Sequence, residues 1–154
     1  MADFGMRRQS DPRERRVATT YEAPELDMRD PAGVTLKADV FSLGCVYLEY
    51  ITWLLMGQAG LTAFEAARTE VDRWGYQMDT FFESGTRIGE IPRLKKGVLE
   101  WIQKLKKHPH CHQVIGDLLE LIKKEMLDPN YRTRIDSGRL VVELGKIWDK
   151  WRGN

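Results

Sequence analysis

The chain has 154 residues, 42% hydrophobic and 31% charged, enough apolar material for one globular domain with a real core. Its 24 basic and 23 acidic residues leave a formal charge of +1, which excludes a strong long-range field toward nucleic acid or anionic lipid. Cys45 and Cys111 stand in no C-x-x-C spacing, so no disulfide framework or secreted setting is indicated, and cytoplasm or nucleus is the expected compartment.

In chain order, residues 1–35 are rich in proline and arginine and poor in apolar periodicity, which predicts loop with a short helix near Pro24-Glu25-Leu26. No signal peptide is expected at Met1, because Asp3 and the arginines from Arg7 onward stand where its apolar core would lie. From Leu36 to Met56 runs LKADVFSLGCVYLEYITWLLM, apolar nearly all round and ended by Gly57 and Gly60. That is either a central buried helix or a membrane span. Val40 to Met56 carries one charge, Glu49, and a spanning helix needs about 17–25 apolar residues. A mid-span carboxylate costs about 2.5–3.5 kcal/mol on insertion scales, so the buried helix is preferred and no membrane partner is expected.

Four amphipathic stretches follow. Leu61, Phe64, Ala67 and Val71 fall at helical spacing between Leu61 and Trp74, and Leu94, Val98, Trp101, Ile102 and Leu105 share a face between Leu94 and Lys106. Ile115, Leu118, Leu119, Ile122 and Met126 do so between Val114 and Leu127. The last stretch starts at Ser137, read as its N-cap, and runs through Leu140, Val141, Leu144, Ile147, Trp148 and Trp151. Strand signals are absent, and the predicted fold is mainly α. Trp101, Trp148 and Trp151 are all read as core.

Asp3-Phe4-Gly5, about twenty residues of irregular basic chain, Ala23-Pro24-Glu25, then Asp39 entering the apolar helix KADVFSLGCVYLEY: in this order and spacing the chain resembles the second half of a eukaryotic-type serine/threonine protein kinase. VLEWIQKLKKHPHCHQVIGDLLELIKKEMLDP resembles the paired helices of the kinase C-terminal lobe and RTRIDSGRLVVEL its last helix, so the likeness covers nearly the whole chain. The Leu61–Glu83 stretch resembles an insertion of a fungal subgroup of these kinases. The resemblance implies a D-F-G motif and flexible activation segment over 1–35 and a helical bundle around a central apolar helix over 36–154.

It also implies roles. Asp3 would hold magnesium against the phosphates of ATP, Phe4 would pack beneath it, and Gly5 would complete the motif. Glu25 would pair with an arginine ahead of the last helix, and the ungapped alignment of LDPNYRTRIDS chooses Arg134 over Arg132. Asp39 would accept backbone hydrogen bonds from the catalytic loop. Two positions depart from the family: Ala18 stands where a threonine is usual, with Thr19 one place late, and Phe41 replaces a tryptophan.

The 154 residues carry no glycine-rich phosphate loop, no V-A-I-K lysine, and no H-R-D-x-x-x-x-N loop. Phosphoryl transfer depends on several such parts acting together, so ATP and magnesium belong to a full-length parent and neither is expected to bind tightly here. Met1 is then an internal methionine of that parent, and the enzyme question stays open between a kinase fragment and a non-catalytic interaction module that binds a protein substrate or regulator. Elements that surround the apolar helix in kinases lie upstream of D-F-G, so part of Val40–Met56 is expected to stay uncovered and to favour self-association.

Smaller features have plain readings. HPHCH at 108–112 offers imidazoles and a thiol, but in extended chain Cys111 points away from the three histidines, which leaves a polar turn rather than a zinc site. Arg7 and Arg8 ahead of Ser10 resemble a basophilic-kinase substrate pattern, and Ser10, Thr19 and Thr20 are candidate regulatory sites where a phosphate adds about −1.5 to −2 charges. Cys45, on the apolar helix, is read as core rather than nucleophile.

Overall fold

A computed structural model describes residues 20–27, 35–71, 75–83 and 92–153. The described chain is mainly helical: α1 (Pro24–Asp27), α2 (Lys37–Arg68), α3 (Lys96–Lys106), α4 (Gln113–Leu121) and α5 (Ser137–Arg152). Four two-residue strands, β1 (Glu70–Val71), β2 (Gln77–Met78), β3 (Phe82–Glu83) and β4 (Arg93–Leu94), make two antiparallel pairs, with Glu70 opposite Met78 and Phe82 opposite Leu94. The strands correct the expectation of none. Two residues are too few for alternation to be visible in a sequence.

α2 is two helical stretches joined across a kink. Gly57 breaks it where the sequence places the end of the apolar helix, adopting φ 64° and ψ −162°, a non-helical conformation open to glycine at little steric cost. The helix resumes and carries the stretch that Leu61 was expected to begin as far as Arg68 rather than Trp74. Thr69 then closes it, its amide and hydroxyl both donating to Glu65 O. α2 is long and apolar enough to cross a bilayer by length and composition, and 39% of its 18-residue apolar window is buried within the protein.

Val40, Phe41, Cys45, Leu48 and Ile51 of α2 form the centre of the core. Onto them α3 packs Val98, Trp101, Ile102 and Leu105. Trp101 stacks on Phe64 with ring centres 5.3 Å apart, and its Nε1 donates to Thr52 Oγ1 at 3.0 Å, satisfying both buried polar groups. The two helices approach so closely that a Cβ on Gly97 would lie 2.0 Å from Ala67 O. α4 continues as a π-helical turn (Ile122–Met126), closed by Leu127 N to Ile122 O at 2.8 Å, and buries Leu119, Ile122 and Met126.

Two readings of α5 are corrected. Asp136, not Ser137, is the N-cap, its carboxylate accepting from Arg139 N at 2.9 Å. Leu140, Leu144 and Ile147 face the core, whereas Trp148 and Trp151 are 52% and 53% exposed and pack on each other, ring centres 5.0 Å apart. A helix packed on one side has only one stripe to bury, and these tryptophans lie beyond its edge. Trp101 alone of the three is core.

Candidate functional site

The segment Thr20–Asp27 lies against α2 at two polar centres, and these are the candidate site. In the first, Pro24 opens the one-turn helix α1, fixed by Leu26 N to Ala23 O at 3.0 Å, and Glu25 points inward. Facing it is the loop 128–134. There the Asp128 carboxylate accepts from Asn130 N at 2.9 Å and Thr133 Oγ1 at 2.6 Å, while Asn130 O accepts from Arg134 N at 2.9 Å. This tight loop aims Arg134 at Glu25. The guanidinium and carboxylate meet side by side, Nη1 to Oε1 at 2.7 Å and Nη2 to Oε2 at 2.9 Å. Arg134 Nε also donates to Asp128 O at 2.7 Å and Nη1 to Lys37 O at 2.9 Å, and the group sits 4.9 Å over the Phe41 ring. Both residues are buried, so the pair is dry and every donor bond is charge-assisted. Arg132, the competing partner, is exposed.

The second centre is built around Arg68. Its guanidinium lies between Phe64 and Phe81, 4.8 Å from each ring centre, and is almost wholly buried. Nη2 donates to Glu49 Oε1 at 2.7 Å and Nε to Asp79 O at 2.9 Å. The other oxygen of Glu49 accepts from Tyr21 OH at 2.7 Å, and Asp79 Oδ2 accepts from Thr20 Oγ1 at 2.6 Å. Burial, then the hydrogen bond to Glu49, pushes the Tyr21 phenol up to about 12. Beneath lies Lys95, buried, donating to Arg68 O at 2.8 Å and Met78 O at 2.7 Å; burial lowers its ammonium below the usual lysine range. It ties the end of α2 to β2 and the start of α3.

Above Arg68 opens a cleft of about 270 Å³, lined by Thr20, Tyr21, Glu49, Glu65, Arg68 and Asp79 among others. Three carboxylates against one guanidinium make it net negative, and the chemistry it suits is reception of a cationic side chain.

Of the residues singled out from sequence, Glu25, Arg134 and Thr20 belong to these centres. Asp39 is exposed in the first turn of α2, where a carboxylate favours the helix dipole. Asp3, Phe4, Gly5, Ser10 and Thr19 lie outside the described residues. Among the described residues no group of three or more His, Cys, Asp or Glu could hold a metal, so the magnesium reading depends on Asp3. Residues 107–112 form the turn between α3 and α4, and Cys45 is fully buried, its thiol pushed well above the ordinary range by desolvation. Sequence reasoning missed Arg68, Asp79 and Lys95. Arg68 follows the glycine break at the end of a weakly patterned stretch, and nothing local links it to Glu49. Searches against protein-family models, curated proteins and solved structures return no match to this chain.

Proposed function

We propose that the chain is the helical lobe of a serine/threonine protein kinase domain from the D-F-G motif onward, and that by itself it transfers no phosphate. The observation that carries this reading is the bidentate Glu25–Arg134 pair, which ties the Ala23-Pro24-Glu25 motif to the loop ahead of the last helix. The motif order of the sequence names that pairing in kinases, and no feature of local sequence would otherwise join positions so far apart. The acidic cleft beside Tyr21 supports a protein partner presenting a cationic side chain.

In this reading Asp3 supplies one carboxylate toward magnesium and nothing in the 154 residues supplies the phosphate-binding lysine or the catalytic base. Magnesium, when bound with ATP, neutralises charge on the phosphates. The chain's own residues hold the activation segment against the lobe through Glu25, Tyr21 and Thr20. The rival reading, a non-catalytic interaction module, uses the same surface without turnover.

A radiolabel transfer assay separates them in two steps. The chain alone is expected to show no transfer above a blank. Joined to the upstream half of a well-characterised serine/threonine kinase domain, cut just before its own D-F-G, it is expected to restore transfer that Asp3→Asn abolishes. A folded but inert hybrid favours the interaction module, and Asp3-dependent transfer by the chain alone overturns the claim of incompetence.

A further inference from the structure

The segment Thr20–Asp27 is fastened to the lobe at two ends of unequal strength. At the far end the Glu25–Arg134 pair is buried and dry. At the near end Thr20 Oγ1 donates to Asp79 Oδ2 at 2.6 Å, Tyr21 OH donates to Glu49 Oε2 at 2.7 Å, and Tyr21 O accepts from Ser42 Oγ at 2.8 Å. Tyr21 is exposed and Thr20 half-buried at the rim of the cleft, so water competes for these three bonds and each holds weakly.

We propose that Thr20 is a modification site at which a phosphoryl group frees Thr20 and Tyr21 from α2 and Asp79, while Glu25 keeps the rest of the segment seated. The phosphoryl donor is ATP, used by a separate protein kinase. The bond from Thr20 Oγ1 to phosphorus forms, the bond from that phosphorus to the departing oxygen of ADP breaks, and the hydroxyl proton passes to that kinase's base.

Polarity decides the sign of the effect. The neutral hydroxyl reaches Asp79 as a donor, whereas a phosphate of about −1.5 to −2 charges in its place offers oxygens that accept. Glu49 and Glu65 line the same cleft, so the new charge meets carboxylates on several sides. Arg68 is the cation among the lining residues, and its side chain is 5% exposed. Its Nη2 is committed to Glu49, its Nε to Asp79 O, and its two faces to Phe64 and Phe81. A phosphate that drew Arg68 out would break that stack and strand Glu49. Lys95, the cation beneath, is buried and donates to Arg68 O and Met78 O. Beside free arginines a phosphate orders a loop; beside carboxylates it expels one.

The seated hydroxyl is already engaged, so the modifying enzyme meets Thr20 when the near end is open, and the product cannot close again. A transient opening becomes a lasting one. The acidic cleft then loses the wall that Thr20 and Tyr21 supply, which withdraws it from a cationic partner. That consequence rests on the functional reading of the cleft; the release itself does not.

Nuclear magnetic resonance on the full chain, prepared with phosphothreonine at position 20 and compared with the parent, tests it. The Tyr21 and Phe81 rings lie 6.3 Å apart centre to centre when seated, close enough for an Overhauser contact, and the water-shielded Nε–H of Arg134 reports the far end. The phosphate is expected to abolish the ring contact and to leave the Arg134 signal in place. Thr20→Val, which removes the hydrogen bond without adding charge, is expected to keep the contact. Asp79→Asn in the phosphorylated chain, which turns a repelling oxygen into a donor, is expected to restore it. Persistence of the ring contact under phosphorylation, its equal loss in Thr20→Val, loss of the Arg134 signal along with it, or no recovery with Asp79→Asn each overturns the proposal. So does a tryptic peptide 17–29 from native cells in which Thr20 is found only unmodified. No phosphoryl transfer by the chain itself enters these readouts, so they stand or fall apart from the functional reading.

Discussion

Arg134 makes four charge-assisted hydrogen bonds in a place where water does not reach, and its value lies in leaving no group there unpaired. Removing either partner strands the other charge in a dry site, a loss of about 3–5 kcal/mol. Glu25→Ala and Arg134→Ala are each expected to lower the urea midpoint severely, and the double variant by much less than their sum. Arg134→Lys is expected to fall well short of the parent, since one ammonium cannot serve both carboxylate oxygens along with Asp128 O and Lys37 O. Arg132→Ala, at an exposed position, is expected to stay close to the parent; a damaging Arg132→Ala beside a harmless Arg134→Ala would reverse the assignment. At this scale the sequence was legible only through motif order. Glu25 and Arg134 could be matched because a family pattern names the pairing, while Glu49 and Arg68, on opposite sides of the Gly57 break, carry no pattern that predicts their contact.

The helices were legible by their apolar faces, and their ends were not. Periodicity located α3, α4 and α5, because a stripe that must be buried repeats along the helix whatever it packs against. Glycine also marked the break at Gly57, where the backbone leaves the helical region. Periodicity failed in strands of two residues. It also overran α5, since helical spacing alone cannot say how wide a stripe the neighbour will cover. Two glycines in helices separate backbone approach from mere propensity. Gly97→Ala drives a methyl into the Ala67 carbonyl, so it is expected to part α3 from α2 and unfold the protein at markedly lower urea. Gly116→Ala, on α4 with nothing within 4 Å of the new carbon, is expected to stabilise by about 0.5–1 kcal/mol. Equal effects at the two sites in a urea series would remove the close-approach argument.

At the scale of the whole molecule, α4 is stitched to both neighbours by its carboxylates. Glu120 bonds Lys106 of α3 and Lys124 of the π-helical turn, and Asp117 bonds Lys150 of α5 at 2.6 Å. Hydrogen bonds from Lys106 and then Lys124 hold Glu120 down to about 2, the bond from Lys150 lowers Asp117, and the Arg139 amide lowers Asp136. Each folded pKa is depressed, so the unfolded chain binds more protons in acid. The stabilisation is therefore complete above the ordinary carboxylate range and drains away as pH falls from about 4.5 toward about 2. Urea midpoints are expected to be level at neutral pH and to drop across that window, with a shallower drop in Lys106→Met. A midpoint flat to pH about 2 would show that these bonds do not contribute.

The Glu25–Arg134 pair joins positions 109 apart, whereas Lys106 and Glu120 are separated by 14. Closing the longer loop costs roughly 2 kcal/mol more chain entropy, so local contacts among α3, α4 and α5 are expected to assemble first and residues 20–27 to dock last. An interaction made after the folding barrier leaves the refolding rate alone and slows only escape from the native state. Arg134 is thus a latch in time as well as in space: it sets how long the segment carrying Thr20 and Tyr21 stays on the lobe once seated, and has little say in how quickly the lobe forms.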